Sequence, residues 1–118
     1  MRVRIAKQYT FQAAHYLPHV ADGHKCKRLH GHSYALEVVC EGEPDERGMV
    51  IDYFEIDEAW APIYATIDHR LLNELDGFDN PTTENVARVI FDTLKMSIPS
   101  LVRVRLSEQH DEWGEYPA

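Results

Sequence analysis

"HSYALEVVCEG", residues 32–42, places Tyr34, Leu36, Val38 and Cys40 on one parity. Successive side chains of a strand point to opposite faces, so an apolar set at every second residue predicts a half-buried β-strand. Upstream, "VRIAKQYTF" (3–11) has the same period, with Val3, Ile5, Tyr9 and Phe11 on one side. Downstream, "EPDERG" supplies turn chemistry before "MVIDY" (49–53), which predicts a hairpin between the flanking segments. "LVRVRLSE" (101–108) alternates again, with Val102, Val104 and Leu106 opposed to Arg103, Arg105 and Ser107.

Helical spacing fills the interval between these strands. Residues 54 to about 66 read as a helix, with Pro62 expected as a kink or local break. Asp68 to Leu75 is ambiguous between a short helical turn and a loop. "NPTTENVARVIFDTLKMSI" (80–98) is the clearest helix: Pro81, Thr82 and Thr83 form a start signal, and Val86, Val89, Ile90 and Leu94 recur at helical intervals. The order strand, strand, strand, helix, helix, strand predicts an α+β layer, a four-stranded antiparallel sheet with two helices on one face. So small an open sheet has exposed edges that invite pairing with another chain, so a homo-oligomer is expected.

Composition narrows the function classes. The chain has 118 residues, 44% hydrophobic and 27% charged, which suits one globular domain over 1–118. Its formal net charge of -8 argues against a duplex nucleic-acid binder, while leaving room for a small anionic substrate in a local basic pocket. No apolar run approaches the roughly 20 residues that span a bilayer. The N-terminal stretch lacks a signal peptide's apolar block, so a soluble cytoplasmic protein is expected, with Cys26 and Cys40 as reduced thiols.

The chemistry concentrates in "HKCKRLHGH", residues 24–32. His30 and His32 flank Gly31, and two positions apart on a strand they can converge on one ion. A third imidazole would complete a catalytic style of zinc site with one position open; His15 is the leading candidate, with His19 and His24 competing. A His-x-His pair can equally be two surface histidines. Three readings stand for Cys26: a fourth ligand closing a structural site, a buried structural thiol, or a catalytic thiolate favoured by Lys25, Lys27 and Arg28. Cys40 falls on an apolar strand face and reads as core. Asp68 directly precedes His69; such a pair is either a helix-terminal cap or a carboxylate orienting a proton-transfer histidine. Glu108 continues the parity of Val102, Val104 and Leu106, so it is either solvated past the strand's end or a carboxylate facing a ligand with paired N–H groups.

Taken together, "FQAAHYLP", "KCKRLHGHSY", "GMVIDY", "IDHRLLNEL", "NPTTENVA" and "LSEQ" resemble the 6-pyruvoyl-tetrahydropterin synthase family, in the 6-carboxy-tetrahydropterin branch that serves queuosine biosynthesis. The resemblance runs from about residue 4 to residue 110. It implies that His15, His30 and His32 hold Zn2+, and that Cys26, Asp68 and His69 transfer protons. Glu108 would anchor the pterin ring with help from Thr82 and Thr83. It implies a tunnelling fold whose sheets join into a barrel as a trimer, two trimers stacking into a hexamer, with sites between subunits. Gln109 departs from the threonine common beside the anchor glutamate, and "HDEWGEYPA" (110–118) matches no family motif.

The implied reaction is a zinc-dependent lyase step, converting 7,8-dihydroneopterin triphosphate to 6-carboxy-5,6,7,8-tetrahydropterin, acetaldehyde and triphosphate. Lys25, Lys27 and Arg28 would then offset the triphosphate, or else are solvated surface charge. Two alternatives accompany it: a 6-pyruvoyl-forming or dihydroneopterin-cleaving enzyme, and a non-catalytic zinc protein closed by Cys26.

Overall fold

Two long strands set the frame. In the computed structural model, which describes residues 1–118, β1 (Val3–His15) and β2 (His30–Gly42) pair antiparallel from Val3 opposite Gly42 to His15 opposite His30. At about 3.3 Å per residue each strand is about 43 Å long, which accounts for most of the molecule's 56 Å long axis. The chain then forms helix α1 (Tyr53–Ile67), the two-residue β3 (Arg70–Leu71), helix α2 (Thr83–Lys95), β4 (Leu101–Gln109) and β5 (Glu112–Tyr116).

The sheet has five strands in the order β3-β1-β2-β4-β5. It is mixed, because β3 runs parallel to β1 through Ala13–Arg70 and Ala14–Leu71. The expected four-stranded antiparallel sheet is therefore corrected in number and direction, while the α+β class and the two helices packed on the sheet stand. "MVIDY" is not a strand. Asp52 is the N-cap of α1, accepting a hydrogen bond from the Phe54 N–H at 2.9 Å, so this segment turns into the helix instead of pairing. β4 holds that place beside β2.

Two further expectations change for local reasons. The break expected at Pro62 does not occur: α1 runs on to Ile67. Pro62 is exposed, so the backbone carbonyl it deprives of a partner can meet water. On β4, the register against β2 shifts between Val39 and Cys40, so Leu101 faces Cys40 and enters the core while Val102 is only half-buried. One extra residue in a strand reverses the parity on one side of it. Val104 and Leu106 keep their inward direction.

The inward parities of β1, β2 and β4 meet the helices. Phe11 and Tyr34 stack with ring centroids 4.6 Å apart and planes 2° from parallel, with Trp60 of α1 tilted against Phe11 at 5.9 Å. Val86, Ala87, Ile90 and Leu94 form the buried stripe of α2, whose N-cap Thr82 accepts from the Asn85 N–H at 3.2 Å. Lys7 shares the apolar parity of β1 at the sheet's margin, where its ammonium and the Tyr9 hydroxyl both donate to Asp57 of α1 at 2.6 Å.

Leu36 has no solvent exposure and lies in the middle of this layer. Leu36→Ala is expected to cost about 2–5 kcal/mol in a denaturant titration, from lost transfer energy and an unfilled cavity. A loss under about 1 kcal/mol would show that the core is not packed as described.

Candidate active site

The β1–β2 register carries three histidines to one place. His15 and His30 are cross-strand partners, and His32 lies opposite Ala13 with its side chain on the same face. The three ring centroids are 4.5, 5.0 and 4.9 Å apart, with the planes steeply inclined to one another. One nitrogen from each ring lies within 4.8 Å of the others, a grouping that can hold a metal ion.

The second nitrogens of His15 and His30 are engaged. His15 Nδ1 lies 2.8 Å from the Pro81 carbonyl oxygen and His30 Nδ1 2.7 Å from that of Arg28. A carbonyl can only accept, so Nδ1 carries the proton on both rings and Nε2 presents a lone pair. Backbone acceptors of this kind orient metal-bound imidazoles. His15 Nε2 and His32 Nε2 are buried without a hydrogen-bond partner. Burial also holds the pKa of both His15 and His32 below the ordinary value of 6.5, which favours the neutral form that binds metals. With two of its three imidazoles presenting unpartnered, shielded nitrogens, this donor set fits a divalent ion.

Glu108 reaches the same place from β4. Its Oε2 is 3.0 Å from His32 Nε2 and 3.5 Å from His15 Nε2. Neither contact is a hydrogen bond: His15 Nε2 has no proton to donate, its proton being on Nδ1, and His32 Nε2 is likewise without a partner beside the carboxylate. Glu108 Oε1 accepts the Thr83 hydroxyl in a short hydrogen bond. Thr82 is turned to capping α2 through Asn85, so of the two threonines only Thr83 bonds the glutamate.

Cys26 sits in a single 3-10 turn (Lys25–Lys27) and is partly exposed. Its N–H donates to His24 Nδ1 at 3.0 Å, and its carbonyl accepts the Leu17 N–H at 2.8 Å. The thiol is not part of the histidine group. His19 and His24 also stay outside it, both exposed. Lys27 is bound to Asp22 at 2.6 Å, while Lys25 and Arg28 are exposed.

Asp68 and His69 form a bonded pair where α1 ends. Asp68 Oδ1 accepts the Gln12 N–H at 2.9 Å, and Oδ2 lies 2.7 Å from His69 Nδ1. The Gln12 N–H first, and then His69, hold the Asp68 carboxyl below its usual range. His69 adopts φ +58, a left-handed conformation uncommon outside glycine. Its N–H donates to the Gln12 carbonyl at 2.6 Å, which secures that conformation, and its side chain is 76% exposed. With Gln12, Ala14, Gly31, Ser33 and the rim of His32 it lines an open depression at the end of the sheet.

Three contributions leave no trace in the sequence pattern: the Pro81 carbonyl, the Arg28 carbonyl and the Tyr34 hydroxyl, 3.3 Å from His15 Nδ1. Main-chain acceptors are not marked by residue identity. Tyr34 is legible only as core.

The chain is similar to known proteins along its whole length. The family described as 6-pyruvoyl tetrahydropterin synthase matches residues 4–118. A Synechocystis protein named 6-carboxy-5,6,7,8-tetrahydropterin synthase is 37% identical over 111 residues, covering 88% of this chain and 84% of its own. A Pyrococcus furiosus protein named dihydroneopterin monophosphate aldolase is 35% identical over 105 residues, covering 89% and 86%. The solved structure of Caenorhabditis elegans 6-pyruvoyl tetrahydropterin synthase superposes with a TM-score of 0.91 at 29% identity, covering 100% of this chain and 96% of that one.

The lowered histidine pKa values fix a direction for stability. Below the unfolded value of 6.5 the unfolded chain binds protons that the buried His15 and His32 resist, so stability is full above that pH and falls beneath it. Chelator-treated protein is expected to melt at progressively lower temperature from pH 7 to pH 5, and His32→Gln to flatten the slope. An unchanged melting temperature across that range would contradict the buried neutral imidazoles.

Proposed function

The chain belongs to the 6-pyruvoyl tetrahydropterin synthase family, and we propose that it is a zinc-dependent carbon–carbon lyase acting on 7,8-dihydroneopterin triphosphate. With uptake of one water, that substrate would yield 6-carboxy-5,6,7,8-tetrahydropterin, acetaldehyde and triphosphate. Such a product would serve queuosine (7-deazaguanine) biosynthesis. The observation that carries the reading is the convergence of His15, His30 and His32. The Synechocystis relative's name supports the choice of product.

In this reading the three histidines hold the ion, which when bound supplies Lewis-acid polarisation of the substrate's side-chain oxygens. The Cys26 thiolate removes a proton from the adjoining carbon, and His69 returns one. Asp68 keeps the His69 ring in the tautomer that carries its proton on Nδ1, leaving Nε2 to exchange with the reaction. Glu108, held by Thr83, accepts from the pterin's paired N–H groups. Lys25 and Arg28, free of acidic partners nearby, are the cations to meet the triphosphate; Lys27 is engaged with Asp22.

Asp68 and His69 stand outside the three-histidine group, and the His69 ring is open to solvent, so we assign the pair to a site completed by another copy of the chain. The edge of β1 supports assembly: β3 covers it only at Ala13 and Ala14, and Asp68 and His69 occupy Gln12, leaving Val3–Phe11 to accept a strand from a neighbour. Trimers closing a barrel, stacked as a hexamer, satisfy both requirements. No helix is long and apolar enough to cross a membrane, in keeping with a cytoplasmic site of action.

A second reading, aldol cleavage of a pterin monophosphate, has the support of the Pyrococcus furiosus relative's name. Incubation with the triphosphate and the monophosphate, with and without chelator, followed by mass spectrometry decides between them. The carboxy product from the triphosphate, abolished by chelator, supports the lyase. A pyruvoyl product, or turnover of the monophosphate alone, overturns it. Cys26→Ala is expected to keep its metal while turnover falls by at least about a hundredfold, the lower range for a lost proton-transfer group. Loss of metal and fold together would instead indicate a closed structural site.

A further inference from the structure

One contact at the site is electrostatically unfavourable as it stands. The proton of His15 is on Nδ1, committed to Pro81, so its Nε2 offers a lone pair to the Glu108 Oε2 3.5 Å away. The same oxygen stands 3.0 Å from His32 Nε2, which makes no hydrogen bond with it. Lone pairs facing a carboxylate in a water-poor place repel one another unless a cation is shared between them. Glu108 does not drift there for want of a restraint: Thr83 holds Oε1, and that leaves Oε2 directed at the histidines. Only about a fifth of its side chain is exposed, so solvent does little to relieve the charge.

We propose that Glu108 is itself a metal ligand in the substrate-free enzyme, through Oε2, and that an arriving pterin draws it away. The inference rests on the metal-centre and pterin-anchor reading above and adds an exchange between the two roles. At rest, the carboxylate fills the position that the three imidazoles leave open and neutralises one unit of the ion's charge. When the ring's N–H groups approach, Oε2 turns to accept from them, and the position passes to the substrate's oxygens. Thr83 is the pivot, because its hydroxyl stays on Oε1 through the change. Substrate recognition and opening of the metal would then be one event.

The test uses Co2+ as an optical probe in full-length chelator-treated protein, comparing wild type with Glu108→Gln, Glu108→Asp and Thr83→Val. Metal-free melting curves show that each variant folds; should one not fold, the remaining substitutions carry the same comparison. Loss of the ligand is expected to weaken Co2+ binding about tenfold or more in Glu108→Gln, comparable with or beyond the loss of an outer-shell partner, and to alter the visible absorption bands. Thr83→Val and Glu108→Asp should fall between. Adding a pterin with no side chain, and so no oxygens to offer the metal, should shift the wild-type bands and leave those of Glu108→Gln unmoved. Co2+ affinity within twofold of wild type, with unchanged bands, would overturn the proposal. If pterin binding nonetheless weakened in that variant, the anchor role would survive alone. If His30→Ala also kept its Co2+ affinity, the metal centre itself would be wrong.

Discussion

Everything at the site depends on the register of two antiparallel strands. With His15 opposite His30, three imidazoles share a face; a slip of one residue would send His30 and His32 to the other side of the sheet. The slip is resisted along the whole ribbon, because the same parity that orients the histidines also buries Phe11, Ala13, Tyr34, Leu36 and Val38. Misregistering the pair would expose an entire apolar row. The geometry needed for chemistry is thus enforced by hydrophobic burial, the strongest term the fold has.

The site is therefore continuous with the core instead of standing on a mobile loop. His15 is 1% exposed and belongs to the same layer as Tyr34, whose ring stacks on Phe11. Polar atoms in such a place need partners, and the backbone supplies them through the carbonyls of Pro81 and Arg28. The Asp68–His69 pair belongs to a different regime. It stands at the sheet's margin, Asp68 half-buried and His69 exposed, with His69 kept in a left-handed conformation by its bond to the Gln12 carbonyl. Strain of that kind persists only where the surroundings insist on it, and it aims the imidazole outward.

Period is the legible part of the sequence. The alternation in β1 and β2 and the helical recurrence in α2 arise from burial on one face, so the residues themselves record it. The three histidines are legible for the same reason, since parity and end-to-end strand pairing suffice to bring them together. What cannot be read is decided by groups that carry no side-chain signature. "MVIDY" has the residues of a strand, yet Asp52 caps a helix and β4 occupies the edge it would have joined. β5 is written as "EWGEY", charged and solvent-facing on one side, so it has no apolar rhythm to announce it. The bulge beside β4 displaces Val102 from the core because register shifts follow the partner strand, which a single segment does not reveal.

Three consecutive residues at the start of α2 each serve a different group. Pro81 holds His15 through its carbonyl, Thr82 caps the helix, and Thr83 bonds Glu108. Their spacing is thereby fixed to the residue. Lengthening the chain by one position between them would dislodge an imidazole or a carboxylate even with every functional side chain retained. Just upstream, Gly77 has φ +87 and open space around it, so a changed length can be absorbed at that turn, before the chain commits Phe78 to the core. Insertions and deletions among relatives of this chain should gather at Gly77 and halt at the phenylalanine.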